Sequence, residues 1–305
     1  DLLQGDNALV FQNDPMGGHD VLIGGPGNND LDADGGDDIM VQSPGVDRNE
    51  GMLGFDWVTY KGHTLPVDAD LSFSVLLPPD VSAVRDRFDL VEGLSGWDGN
   101  DVLRGMTGID DVPQQAQNVP NGHELTEAHL DRVIGLRALL QPPGHFNYAC
   151  RFMVSGACNL PIADSDGTSN MILGGKGSDL IEGRAGDDFL SGDAWLNVYL
   201  EWMNPNGEPE RFESAVEFGD RVISREINPA DVHIRRVIEM PSPAEVLHDI
   251  DTAVYQATSS EYAVRYNGQG YWEIYHLGAN ELEEGEGRDI LHAIEALQFP
   301  DECIM

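Results

Sequence analysis

Between Asp20 and Asp56 an acidic or amide side chain recurs at every ninth position: Asp20, Asn29, Asp38, Asp47 and Asp56. Two residues ahead of each stands a glycine: Gly18, Gly27, Gly36, Gly45 and Gly54. The pattern returns further on, as Gly99 with Asp101 and Gly108 with Asp110, and then as Asn170, Gly177 with Asp179, and Gly186 with Asp188. Carboxylate and carbonyl oxygens are hard ligands of the kind that Ca2+ takes six to eight at a time. Glycine permits the positive φ angles of a tight turn and lets backbone carbonyls crowd an ion. The chemistry these residues suit is coordination of a hard cation, not nucleophilic or acid–base catalysis. Glycine fills 35 of 305 positions, so five hits in one register would arise by chance about twice in 100,000 trials. That register argues against a Gly/Asp-rich disordered linker.

Short strands must position these ligands. In the five nonads from Pro15 to Thr59 the eighth place is apolar at Leu22, Leu31, Met40 and Val58, with Asn49 the exception. Such a residue is expected on a short strand with its side chain pointing inward. Residues 60–86 leave the register, with an alternating piece from Val67 to Leu77 and a short helix capped by Asp80. Glu92 then takes the sixth place of a half-repeat before the second block. Residues 114–164 form a second excursion. A helix is expected there, with Thr126 as N-cap, Ala128, Val133, Leu136 and Leu140 on one face, and Pro142-Pro143-Gly144 as the stop. Trp195 is expected to plug the open end of the stack, since a terminal coil has no neighbour to bury its core. From Asn197 the pattern predicts a hairpin, a short helix, a strand at 232–240, and a further strand and hairpin around Asn267–Gly270.

The nonads resemble the G-G-x-G-x-D-x-U-x calcium-binding repeat of RTX proteins. The resemblance implies an all-β-dominated fold, a parallel β-roll with several Ca2+ ions between its loops, loop and helix excursions, and a small C-terminal β module. Two nonads make one coil, so neighbours on one edge lie eighteen residues apart. That stacks Asp20, Asp38 and Asp56 on one edge and Asn29 with Asp47 on the other, with an ion between successive loops. The expected organisation is a lead-in segment 1–14, the roll 15–196 with insertions at about 60–86 and 114–164, and a C-terminal mixed or β module 197–305. The tail carries Asp289, Leu291, Ile294, Glu295, Leu297 and Phe299 in the pattern of the β module that often follows RTX blocks. More narrowly, EGMLGFDWVTYKG, LLPPD with RFDLVEGLSGW, and GDAWLNV resemble the RTX region downstream of animal-type haem peroxidase domains in bacterial exoproteins. This implies a catalytic domain upstream of Asp1, with no haem and no catalytic residue on this chain. The expected role is a calcium-folded structural module of a secreted protein. The alternatives are the tail of a haem peroxidase and an adhesion module for a cell surface or polysaccharide.

Fifty-four acidic against seventeen basic residues give a formal charge of −37. Such a surface argues against nucleic acid, whose phosphates need basic partners, and against anionic membranes. It repels itself on compaction unless cations neutralise it. No apolar run approaches the eighteen residues of a membrane span. The chain begins at Asp1 and not Met, and is expected to be a fragment or a processed product. RTX exoproteins are exported without a cleaved N-terminal signal, so an extracellular location is expected. Asp14-Pro15 suits a turn and, less strongly, the self-processing bond of some RTX proteins. H-E-x-x-H, G-x-S-x-G, a P-loop and an EF-hand loop are all absent from the sequence. The nine histidines, His19 beside Asp20 among them, form no ligand constellation. Cys150 and Cys158 suit either a small-loop disulfide or two free thiols, and Cys303 has no evident partner.

Overall fold

The computed structural model describes residues 1–6, 17–74, 85–107, 125, 130–140, 152–154, 157–159, 169–266, 271–277 and 286–305. These are mostly β, with the two short α-helices Leu136–Leu140 and Gly219–Ile223 among them. Each nonad becomes a turn and a strand of three residues. Successive strands enter opposite sheets, Val21–Ile23, Ile39–Val41 and Trp57–Thr59 in one, Asp30–Asp32 and Arg48–Glu50 in the other. Pairing is parallel, with Leu22 beside Met40, Met40 beside Val58, and Leu31 beside Asn49.

The first sheet continues through Gly93–Ser95, Met171–Leu173, Phe189–Ser191 and Arg288–His292, then turns antiparallel through Tyr271–His276 and Tyr262–Tyr266. The opposite side comes in two pieces. One holds Leu2–Gln4, Asp30–Asp32, Arg48–Glu50 and Arg87–Asp89. The other holds Asp68–Asp70, Val102–Arg104, Leu180–Glu182, Thr252–Val254 and Ala296–Gln298, with Cys303–Ile304 antiparallel at its edge. The parallel stack therefore runs past residue 196, because Thr252–Val254, Arg288–His292 and Ala296–Gln298 pair in the same sense as the repeat strands. Residues 60–86, expected as an excursion, supply the strand Asp68–Asp70 to this stack.

The middle residue of each triplet points between the sheets. Leu22, Met40, Val58, Leu94, Ile172, Leu190 and Leu291 on one side share a core with Leu31, Phe88, Leu103, Ile181 and Leu297 on the other. Asn49, the polar exception, is fully buried there. Gln42 Nε2 donates to its Oδ1 at 2.6 Å, and its Nδ2 donates to the Arg87 carbonyl at 3.2 Å. A buried amide is tolerated where its hydrogen bonds are made.

The outer face of the nine-stranded sheet is also apolar, with Ile39, Val41, Trp57 and Phe189 buried. It is covered by Leu130, Leu136 and Leu140 from the second excursion and by Leu196, Val198 and Ile238 from an antiparallel sheet of Pro209–Phe212, Trp195–Met203 and Val232–Glu239. That sheet has a small core of its own, Trp202, Phe212, Phe218 and Ile227.

Two expectations change. The single helix from Thr126 gives way to a 3-10 turn at Leu130–Arg132 and a separate helix from Leu136. Between them Gly135 takes φ +89°, and Ile134 forms a bridge with Val237 that draws its backbone out of the helix. Trp195 does not close the stack, because Phe189–Ser191 passes on to Arg288–His292. It packs edge-on to Trp97 at 6.0 Å, beneath the Lys176 ammonium. Asp14-Pro15, Asp80, Thr126, Ala128, Gly108, Asp110, the Asn267–Gly270 turn and the Cys150 and Cys158 side chains lie outside the described residues, while Cys303 is an exposed free thiol.

Leu94 is fully buried between Val58 and Ile172. Leu94→Ala is expected to lower unfolding free energy by about 3 kcal/mol in saturating calcium, measured by denaturant titration. A loss under about 1 kcal/mol would mean that the shared core contributes little.

Candidate metal centre

The residue just before each strand triplet carries the candidate ligand, and the parallel pairing aligns these residues into columns. Asp20, Asp38, Asp56, Glu92, Asn170, Asp188 and Asp289 follow one edge of the nine-stranded sheet. On the other edge, Asn29, Asp47 and Asp86 form one column and Asp101, Asp179, Asp251 and Glu295 another.

A repeated hydrogen bond ties each rung to the next. Asp38 Oδ1 accepts the Asp20 amide at 2.5 Å, and Asp56 Oδ1 accepts the Asp38 amide at 2.8 Å. Asp179 Oδ1 accepts the Asp101 amide at 2.7 Å, Asp251 Oδ1 the Asp179 amide at 2.7 Å, and Asp289 Oδ1 the Asp188 amide at 3.0 Å. In all five acceptors, Asp38, Asp56, Asp179, Asp251 and Asp289, the residue is wholly buried and Oδ2 has no hydrogen-bond partner. Buried carboxylate oxygens are rarely left so, because desolvation without a partner is costly.

Glycine makes the turn between rungs possible. Gly36 and Gly54 hold φ of +143° and +139°. A Cβ on Gly36 would lie 1.6 Å from the Gly18 carbonyl oxygen, and one on Gly54 1.4 Å from that of Gly36. Gly45 meets the Gly27 carbonyl and Gly177 the Gly99 carbonyl in the same way, and Gly186 presents its carbonyl to Gly287. The fourth-place glycines thus put backbone oxygens in file beside the carboxylates.

The edges differ in how their charge is met. Asn29 Nδ2 donates to Asp47 Oδ1 at 3.0 Å, and the Ser43 hydroxyl donates to Asp47 Oδ2 at 3.3 Å, so this carboxylate is satisfied by hydrogen bonds. Asn170 keeps the rung through its amide, which donates to Asp188 Oδ1 at 2.6 Å, while its own Oδ1 accepts the Met106 amide at 2.8 Å. Near Asp20 the chain supplies cations, with Arg132 paired to Asp37 and Arg236 donating to the His19 carbonyl. His19 Nδ1 accepts the Asp37 amide at 2.8 Å and is not aimed at an ion.

Burial, joined by the neighbouring carboxylates of the column, pushes Asp38 up to about 7, Asp179 to about 8 and Asp251 to about 9 from a usual 3.8. Burial, with Glu92 and Asp38 beside it, raises Asp56 as well, and burial raises Asp289. Among the described residues no three His, Cys, Asp or Glu side chains form a group that could hold a metal. An ion here would therefore draw part of its shell from backbone carbonyls. Calcium, a hard cation of high and flexible coordination number, fits that mixture of carboxylate and carbonyl oxygen.

Residues 16–41, 94–112 and 164–194 match the family model of the RTX calcium-binding nonapeptide repeat, which spans four copies. No curated protein matches the chain. The chain thus carries calcium-binding repeats of the RTX, hemolysin type. The columns also enlist Asp86, Asp251, Asp289 and Glu295, outside those segments and outside the nine-residue register. Their signal is shorter: an acid two residues before an inward residue, as in Asp20 with Leu22, Asp289 with Leu291 and Glu295 with Leu297.

The raised values fix a pH dependence. A carboxyl whose folded value lies above its unfolded one binds more protons when folded, so stability falls as pH rises between the two. For Asp38, Asp179 and Asp251 that window runs from 3.8 to about 7, 8 and 9. In calcium-stripped buffer the melting temperature is expected to be higher at pH 5 than at pH 8. Calcium should stabilise more at pH 8, since the ion binds the deprotonated form. Equal calcium-free melting temperatures at the two pH values would contradict the buried columns.

Proposed function

We propose that this chain is a structural module of a secreted RTX protein, a parallel β-roll whose folding and calcium binding are one equilibrium. The observation that carries the reading is the rung itself. Asp38, Asp56, Asp179 and Asp251 each tie a neighbouring coil through Oδ1 and leave Oδ2 buried without a partner. Without a cation, aligned carboxylates repel one another; with one, the same oxygens become ligands, and binding energy becomes folding energy. At a hundredfold excess over Kd one site adds about 2.7 kcal/mol, so a few coupled sites exceed the usual stability of a domain.

In this reading, low calcium inside the cell keeps the chain open for export, and calcium outside folds it. The division we favour is a lead-in at 1–14, a repeat region at 15–196 with its two insertions, and a C-terminal part, 197–305, that extends and covers the stack. Once folded, the module supports a partner domain of the same protein. The likeness of its repeat flanks to the region downstream of haem peroxidase domains makes a secreted oxidative enzyme our choice of parent.

The test is circular dichroism of the full chain, titrated with Ca2+ and then with chelator. The β signal is expected to grow with calcium and to fall on chelation. The Asp38 carboxylate stands between Asp20 and Asp56 in the column, whereas Asp20 precedes the edge strand of the sheet, so Asp38→Ala removes a carboxylate from two inter-coil spaces where Asp20→Ala removes one from a single space. The calcium midpoint of Asp38→Ala should exceed that of Asp20→Ala by roughly tenfold, about 1.4 kcal/mol. A β spectrum that survives chelator unchanged sinks the proposal.

A further inference from the structure

In the unbroken loops a glycine and the column aspartate are five residues apart. A Cβ on Gly96 would lie 2.4 Å from Asp101 Oδ2, one on Gly174 2.4 Å from Asp179 Oδ2, and one on Gly183 2.2 Å from Asp188 Oδ2. Gly192 opens the next loop of this series, but the residue five further on, Asn197, lies within the strand Trp195–Met203. The slot is taken instead by Asp251, whose Oδ2 would lie 2.2 Å from a Cβ on Gly192.

The rest of the rung is reproduced as well. Asp251 Oδ1 accepts the Asp179 amide at 2.7 Å, its own amide donates to Glu295 Oε2 at 2.9 Å, and Thr252–Val254 pairs parallel with Leu180–Glu182. The carbonyl file continues too, with the Gly192 oxygen 2.5 Å from a Cβ on Gly174 and the Ala293 oxygen 2.2 Å from one on Gly192.

We propose that Gly192–Asp193 and Asp251 are two halves of one loop, split by residues 194–250, and that together they hold a divalent cation of the hard, calcium type. Asp251 is wholly buried, and its Oδ2 has no hydrogen-bond partner. Asp193 Oδ1 is a second buried oxygen without one. Three carboxylates, of Asp179, Asp193 and Glu295, bear on Asp251. A buried carboxylate oxygen without a hydrogen-bond donor, set among acids and carbonyls, has the surroundings of a cation ligand. Gly192 and Asp193 fall at the end of the repeat match, and Asp251 lies well beyond residue 194, where that match stops. This inference rests on the calcium reading above and extends it to a loop that no contiguous repeat encodes.

Asp251→Asn is the test variant. It keeps an oxygen for the Asp179 amide and replaces the other with an NH2 group that cannot ligate a cation. Bound Ca2+ per full-length chain, measured by equilibrium dialysis at saturation, is expected to fall by one relative to wild type. An unchanged count in folded Asp251→Asn overturns the site. Should the variant not fold, crystals of the wild-type chain grown with Tb3+ decide the matter through anomalous density. A peak within about 2.6 Å of Asp251 Oδ2 supports the site. Peaks confined to the loops at 18–56 and 96–110 and between Gly174 and Asp188 overturn it and leave the calcium reading standing. No bound calcium and no peak anywhere overturns both.

Discussion

In the rungs held by Asp38, Asp56, Asp179, Asp251 and Asp289 one carboxylate does two things. Its Oδ1 accepts an amide from the adjacent coil, which fixes how far that coil is displaced along the stack. The same geometry turns Oδ2 into the interior, where the next carboxylate of the column lies about one strand spacing away, roughly 4.8 Å. In water such neighbours repel weakly, but with solvent excluded the repulsion is far larger. Burial is the main cause of the raised values of Asp38, Asp179 and Asp251, and the neighbouring carboxylates add to it. The contact that sets the register is thus one the folded chain tolerates only with a proton or a metal ion beside it. In the function proposed above, coupling of fold to ion follows from that geometry, and does not depend on the ion touching the hydrophobic core.

Several other acidic residues are handled differently. On the strand flanks arginine meets them: Arg48 pairs with Asp30 and Glu50, and Arg184 grips Asp70 through two nitrogens at 2.8 and 3.0 Å. The Asn29–Asp47 edge replaces one acid by an amide and satisfies the other with it. Asp38, Asp56, Asp179 and Asp251 receive no such side-chain donor on Oδ2. Basic residues are few, and the columns through Asp38 and Asp56 and through Asp179 and Asp251, with Asp32 Oδ1 on another strand, are among the places where buried negative charge is left without a donor.

How much of this could be read from the chain follows from what was periodic. Gly36 and Asp38, Gly54 and Asp56, and Gly177 and Asp179 stood out because turn and ligand recur together at nine. Asp86, Asp251 and Asp289 did not, because insertions break the count while leaving the local acid-x-inward triplet intact. Asp251 was the hardest to see, since its inward residue is only Ala253. The helical spacing after Thr126 was real for Leu136 and Leu140, yet it did not reveal that Gly135 would reverse the backbone or that Ile134 would bridge to a strand a hundred residues on. The outward apolar residues Trp57 and Phe189 were likewise unexplained in sequence, because what covers them comes from distant segments.

Those segments explain why the stack can be interrupted so often. A rung demands only a parallel triplet, an acid before it and a turn that brings carbonyls close. None of these depends on the next rung following at once in the chain. The entropy of closing a long connection grows only with the logarithm of its length, so residues 194–250 add little to the cost of placing Asp251 beside Asp179. The insertion also returns stability to the stack. Leu196 lays its amide on the Ser95 hydroxyl at 2.9 Å and its carbonyl on the Thr59 hydroxyl at 3.1 Å, and its side chain joins Leu136 over the outer face of the nine-stranded sheet. A repeat array with only polar residues on that face would have no use for such a cover. Here Ile39, Trp57 and Phe189 require it, so the repeats and the segments that interrupt them share one buried layer.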